Sequence, residues 1–204
     1  MIAVPTRMRW TVVVGAVAVF LVLALLLTLG SSLAALDLQV TQFLQARRTP
    51  WLSRAMLFLS DSHETVRVLA AAALLAMWRF YRGDRPAVVS LAVVPIGQLL
   101  NVGLNHVFQR VRPVVPEPLV HLSTYSFPSG HAVASTVLYG VLCALVLQRV
   151  RSRFWRVAAV AGALAMVLLV AFSRVYLGAH YLSDVIAGIA VCAACVAVVL
   201  RPVK

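Results

Sequence analysis

Three separated stretches of the chain carry residue types that can do chemistry on an anion. Pro128-Ser129-Gly130-His131 stands where a long apolar run begins. At a helix start the free backbone N–H groups and the positive end of the dipole face outward, which makes an anion cradle. Gly130 permits close backbone approach, and Ser129 adds a hydroxyl donor. His180 and Asp184 are four apart, a spacing that sets two side chains on one helical face. A carboxylate there holds one imidazole nitrogen and leaves the other free as nucleophile or base. Arg112 and Arg174 carry planar guanidinium forks that match phosphate oxygens. Taken singly, each has an ordinary explanation: a helix cap, a surface ion pair, arginines that set topology or meet lipid headgroups. Their joint placement decides, and that depends on the elements carrying them.

Those elements belong to a membrane protein. Of 204 residues, 62% are hydrophobic and 12% charged, against about a quarter charged in a soluble domain. The mean hydropathy of +0.95 excludes a disordered chain and a water-soluble globule. With ~20 apolar residues needed per crossing, the pattern predicts one all-α integral membrane domain, residues 1–204, with six spans. These fall at about 11–33, 65–80, 86–104, 131–148, 155–172 and 183–200. The first is too long and uncharged, from Thr11 to Leu29, for a cleaved signal segment. A net charge of +12 does not mark a nucleic-acid binder, because no Lys/Arg cluster sits on a polar domain. Cys143, Cys192 and Cys195 lie within apolar runs and read as inert packing.

Basic residues orient the spans. With the N-terminus inside, inner segments hold eleven of the 18 Lys and Arg, including Arg149, Arg151, Arg153, Arg156, Arg201 and Lys204. The bias places both termini in the cytoplasm, and Trp10, Trp78 and Trp155 fall at inner helix ends as interfacial anchors. Residues 34–64 then form an outer loop of two short amphipathic helices, broken at Thr49-Pro50 and lying on the outer face. Arg110, Arg112, Ser129, Gly130, His131, Arg174, His180 and Asp184 all gather at outer ends of spans three to six. Polar residues at membrane depth are costly, and a cluster of them marks a site.

Arg112-Pro113, then Pro128-Ser129-Gly130-His131, then Ser173-Arg174 with His180 and Asp184 following, resembles the three-part signature of the type 2 phosphatidic acid phosphatase (PAP2) superfamily. The resemblance covers roughly residues 86–190. It implies a lipid phosphate or diphosphate phosphatase in which His180 attacks phosphorus, oriented by Asp184, and forms a phosphohistidine. His131 would protonate the leaving oxygen, while Arg112, Arg174, Ser129 and the Gly130 amide hold the equatorial oxygens. The family implies no metal or other cofactor, in keeping with the scattered Asp61, Glu64, Glu117 and Asp184. The implied partners are the bilayer and a lipid phosphate, with undecaprenyl diphosphate, phosphatidylglycerophosphate and phosphatidate as candidates. One position departs from the pattern: Asn105 stands where the family has a lysine, seven residues before Arg112. Arg110 is expected to compensate in part, with His106 on the same helical face. Two other readings keep the same residues. One is a phosphotransferase that passes the phosphoryl group to a lipid acceptor. The other is a weakened or silent binding protein.

Overall fold

A computed structural model describes residues 6–30, 32–116, 118–120 and 122–199. Among them the chain is all helix, in nine segments. Helix α1 (Thr6–Thr28) starts and ends earlier than the expected first span, 11–33. Gly30 stops it, in the left-handed region at φ 65°, where a side chain would be strained. The segment between α1 and the next long helix holds α2 (Leu33–Gln45) and α3 (Pro50–Ser62). Pro50 takes the first turn of α3, where its missing N–H costs nothing. Helix α4 (Thr65–Tyr81) follows.

The third expected span, 86–104, is not one unbroken helix. It divides at Ala92 into α5 (Arg85–Leu91) and α6 (Val93–Phe108). The cause is Pro95, which has no N–H to give the Leu91 carbonyl four residues back and whose ring crowds that carbonyl. Helices α7 (Gly130–Arg149), α8 (Arg153–Tyr176) and α9 (Leu182–Val199) complete the order.

Four stretches are long and apolar enough to cross a membrane: most of α1, α5 with α6, α7, and α8. Helix α4, at 17 residues, and α9, apolar over Leu182–Val198, fall just short of that length. Helix α7 is the hub, packed by α4, α6, α8 and α9. Its core face (Val133, Val137 and Val141) is fully buried against Val94 and Cys192. Glycine brings the hub helices together. A Cβ on Gly140 would stand 2.9 Å from Val196 Cγ2, so the Val196 side chain of α9 packs directly on the α7 backbone there. The outward residues of α1, among them Val14, Leu21 and Leu25, stay exposed as a lipid-facing side would.

The two loop helices differ from expectation in what they bury. Rather than resting an apolar face on the bilayer surface alone, they dock on the bundle, α2 against α8 and α9, α3 against α8. Asp37 and Thr41 of α2 and Ser60 of α3 point inward with Met56. Polar side chains turned inward here have polar groups to meet.

Candidate active site

Two neighbours hold the start of α7. Asn105 Nδ2 donates to the Pro128 carbonyl at 2.9 Å and Gln98 Nε2 to the Gly130 carbonyl at 3.2 Å, both from α6. From α9, the Asp184 carbonyl accepts the Ser129 N–H at 3.0 Å. The fit leaves no spare room. A Cβ on Gly130 would lie 3.2 Å from Asn101 Nδ2, and one on Gly188 would strike the Ser129 carbonyl oxygen at 2.8 Å. Close approach, not backbone freedom, is what these two glycines provide.

His180 lies in the short bend between α8 and α9. Gly178 makes the turn at φ 71°, and the N–H groups of Ala179 and His180 return to the Arg174 carbonyl at 3.0 and 3.3 Å. The ring is almost wholly buried. Its Nδ1 sits 2.8 Å from the Ser126 carbonyl, so that nitrogen carries the proton and donates it. Nε2 keeps its lone pair and faces Arg112 Nη1 at 3.1 Å. Burial first, then the Arg112 and Arg174 guanidiniums, hold the His180 pKa well below the ordinary 6.5. The imidazole is therefore neutral at physiological pH, the state a nucleophile requires.

The expected direct pairing of His180 with Asp184 takes a different form. Helix α9 begins only at Leu182, so the two residues do not share a helical face. Asp184 Oδ2 stays 3.7 Å from Nδ1, accepting instead from Ser126 Oγ at 2.5 Å and the Tyr181 N–H at 2.8 Å. Ser126 bridges the two, its hydroxyl also 3.4 Å from Nδ1. Asp184 is wholly buried one layer behind the histidine.

Both arginines are held by acceptors: the N–H groups of Arg112 are all engaged, one of them on His180 Nε2, whereas Arg174 keeps free ones. Arg112 donates to the Thr124 carbonyl and Oγ1 at 2.7 and 2.8 Å, to Tyr125 O at 2.9 Å and to Ala179 O at 2.7 Å. Arg174 is 2% exposed. Its Nη1 donates to Ser60 Oγ, while its Nε and Nη2, with Ser129 Oγ, have no hydrogen-bond partner. Buried donors without partners are rare in folded proteins, and a cationic one more so. A phosphate would satisfy them.

Arg112, Gly130, His131, Arg174, His180 and Asn105 line one cavity of about 560 Å³, whose flank runs between α4 and α6 past Val66, Leu69, Leu99 and Val102. Ser129 and Asp184 stand behind its wall. Arg110 does not reach it, against expectation. Its Nη1 contacts Asp184 Oδ1 at 2.5 Å and its Nη2 contacts Asp37 Oδ2 at 2.8 Å, so both arms turn away from the cavity. His106 is not aligned with Arg110 either, because α6 ends at Phe108 and Gln109 turns left-handed at φ 45°. Among the described residues no three His, Cys, Asp or Glu side chains gather as metal ligands would. Glu117, Arg201 and Lys204 lie outside those residues.

Sequence reasoning passed over Ser60, Thr124, Ser126, Ser183 and Asp37. Most are small hydroxyl residues with no spacing to single them out. Asp37 had a signal: it is the one acid in the apolar run from Leu33 to Leu44.

The chain matches the family described as PAP2 superfamily over residues 86–204. It is 34% identical over 145 residues to phosphatidylglycerophosphatase B of Bacillus subtilis (strain 168), covering 69% of this chain and 70% of that protein. To YbjG of Escherichia coli (strain K12), assigned as an undecaprenyl-diphosphatase, it is 30% identical over 147 residues, 69% of this chain and 68% of the other. A crystal structure of a transmembrane PAP2-type phosphatidylglycerolphosphate phosphatase from Bacillus subtilis matches with a TM-score of 0.82 at 28% identity, over 92% of this chain and 93% of that one. Aquifex aeolicus LpxE shares the fold, with a TM-score of 0.61 at 19% identity, over 81% and 94% of the two chains.

Proposed function

The chain belongs to the PAP2 superfamily and is a membrane lipid phosphatase; from that premise we propose a metal-independent reaction through a phosphohistidine on His180. One observation carries the reading. A buried, uncharged His180 Nε2 faces the same cavity as His131, two guanidiniums and the start of α7. In that cavity Arg112, the unpartnered N–H groups of Arg174 and the Gly130 amide hold the non-bridging oxygens, with the buried Ser129 hydroxyl, itself unpartnered, moving in from behind its wall. Nε2 attacks phosphorus, the bond to the leaving oxygen breaks, and His131 supplies that oxygen with a proton. Nδ1–H donates throughout to the Ser126 carbonyl, and Asp184 offsets the positive charge that grows on the ring. Water then attacks the phosphohistidine, with His131 taking the proton back as base, and inorganic phosphate leaves.

The substrate in this reading is a lipid phosphate or diphosphate, of which undecaprenyl diphosphate and phosphatidylglycerophosphate are the first to try. The sidedness proposed is that of six spans with both termini cytoplasmic and the site on the outer face. The test is phosphate release from a panel of purified lipid phosphates in detergent, with EDTA present and no acceptor alcohol. Release, with an acid-labile phosphoenzyme trapped on quenching, supports the proposal. Loss of the lipid's phosphoryl group only when an acceptor alcohol is added, with that group recovered on the acceptor and no free phosphate, points to the phosphotransferase. A metal requirement, or inertness toward the whole panel, overturns the mechanism.

A further inference from the structure

We propose that Asp37, on α2, is a positioning residue for this chemistry: by holding one arm of Arg110 it leaves the charge of Asp184 incompletely offset and its carboxylate in place behind His180. The inference rests on the reading of His180 as the nucleophile. Asp37 lies outside the stretch that matches the superfamily, residues 86–204, and is 1% exposed. It accepts the Ser183 N–H at 2.9 Å on Oδ1, and the Ser183 hydroxyl and Arg110 Nη2 on Oδ2, the latter at 2.8 Å. Those partners are the chain neighbours of site residues, Ser183 beside Asp184 and Arg110 two before Arg112.

Arg110 therefore stands between two buried carboxylates. Nη1 reaches Asp184 Oδ1 at 2.5 Å and Ser183 Oγ at 2.7 Å, and the guanidinium stacks 4.1 Å from the Tyr181 ring centroid. A buried guanidinium with one carboxylate closes on it with both arms. Asp184 would then be neutralised and drawn from Ser126. Asp37 prevents this by occupying the second arm. Two carboxylates and one guanidinium leave a net single negative charge, 3.7 Å from His180 Nδ1 on the Asp184 side. The ring becomes cationic as Nε2 bonds to phosphorus, so a retained negative charge favours the transition state over the ground state. A merely structural tie between α2 and α9 would not depend on that charge count.

The experiment compares kcat and KM of wild type, Asp37→Asn and Asp37→Asn/Arg110→Gln on one lipid phosphate in detergent, with monodispersity checked for each. Asp37→Asn keeps the shape and removes the charge. We expect kcat to fall about 10-fold or more, the usual scale for outer partners that orient a reacting group, with KM within about twofold. The double variant restores the net charge and should recover most of kcat. Unchanged kcat in Asp37→Asn, a loss confined to KM, or a double variant worse than Asp37→Asn overturns the proposal. If Asp37→Asn does not yield folded protein, the double variant decides alone: kcat above about a tenth of wild type supports the proposal and anything lower overturns it. An inert wild type counts against the phosphatase mechanism itself, whereas an active wild type indifferent to Asp37 counts only against this inference.

Discussion

A histidine that is to attack phosphorus must be fixed at one nitrogen and unprotonated at the other, and His180 is both. Burial and two neighbouring arginines depress its pKa. Protonation removes the attacking lone pair, so the depressed value moves the acid limb of activity downward from the ordinary 6.5. The pH profile of kcat/KM, corrected for the substrate's own ionisation, should show no acid limb near 6.5; activity that falls as the pH drops through 6.5 would mean an unperturbed His180 imidazole. The two histidines should also separate by leaving group. His180→Ala should abolish turnover and the phosphoenzyme together, since it removes the attacking nitrogen. His131→Ala should lose about 10²–10⁴-fold on a lipid phosphate and far less on an aryl phosphate, whose leaving oxygen needs little proton help. Equal losses on both would remove His131 from the acid role. At position 105, the amide is already spent on the Pro128 carbonyl and Arg110 is tied up elsewhere, so nothing fills the place of the family lysine. Asn105→Lys should raise kcat/KM for a simple lipid monophosphate by about tenfold, the low end of a charge-assisted hydrogen bond at ~1.5–3 kcal/mol. No rise would show that the amide's hold on the α7 segment matters more than an added charge.

Helices deliver these side chains, and the tolerance between them is small. Gly188 on α9 backs directly onto the Ser129 carbonyl, and Ser129 caps the helix that cradles the anion. Gly188→Ala must push the cap by several tenths of an ångström or more. We expect kcat/KM to fall at least tenfold while the melting temperature in detergent moves little, because the rest of the α7–α9 seam is untouched; unchanged activity would show the cap to be compliant. The four longest apolar stretches were legible from hydropathy, and two helix starts followed from Pro50 and from the Pro-Ser-Gly-His start of α7. The break at Ala92 was written in the sequence as Pro95 but hidden by the apolar run on both sides. The end of α6 was not legible at all, since left-handed Gln109 carries no compositional mark.

At the scale of the whole molecule, the site residues nearest in sequence to family motifs were readable, and those supporting them were not. Arg112, Gly130, His131, Arg174 and His180 line one cavity, as their shared placement at helix mouths predicted. Asp37 and Ser60 come from segments far away in sequence, and only tertiary packing brings them near; Ser126, although only three residues before Ser129, is a small hydroxyl with no spacing to single it out. Placement also predicts sidedness. In a background with Cys143, Cys192 and Cys195 replaced by alanine, Val114→Cys, highly exposed in the loop between α6 and α7, should react with an impermeant maleimide in intact cells if that loop faces outward as proposed. Labelling only after lysis would invert the topology.

The cavity's flank between α4 and α6 has a further consequence. Val66 and Leu99 there are 70% and 72% exposed, apolar side chains suited to hydrocarbon rather than water. A lipid that slides in along this flank never passes through solvent, so the enzyme meets its substrate in two dimensions. What governs turnover is then the mole fraction of phosphorylated lipid among its neighbours in the leaflet, not moles per litre. Adding inert lipid slows the enzyme at constant bulk concentration, and adding buffer leaves it unmoved.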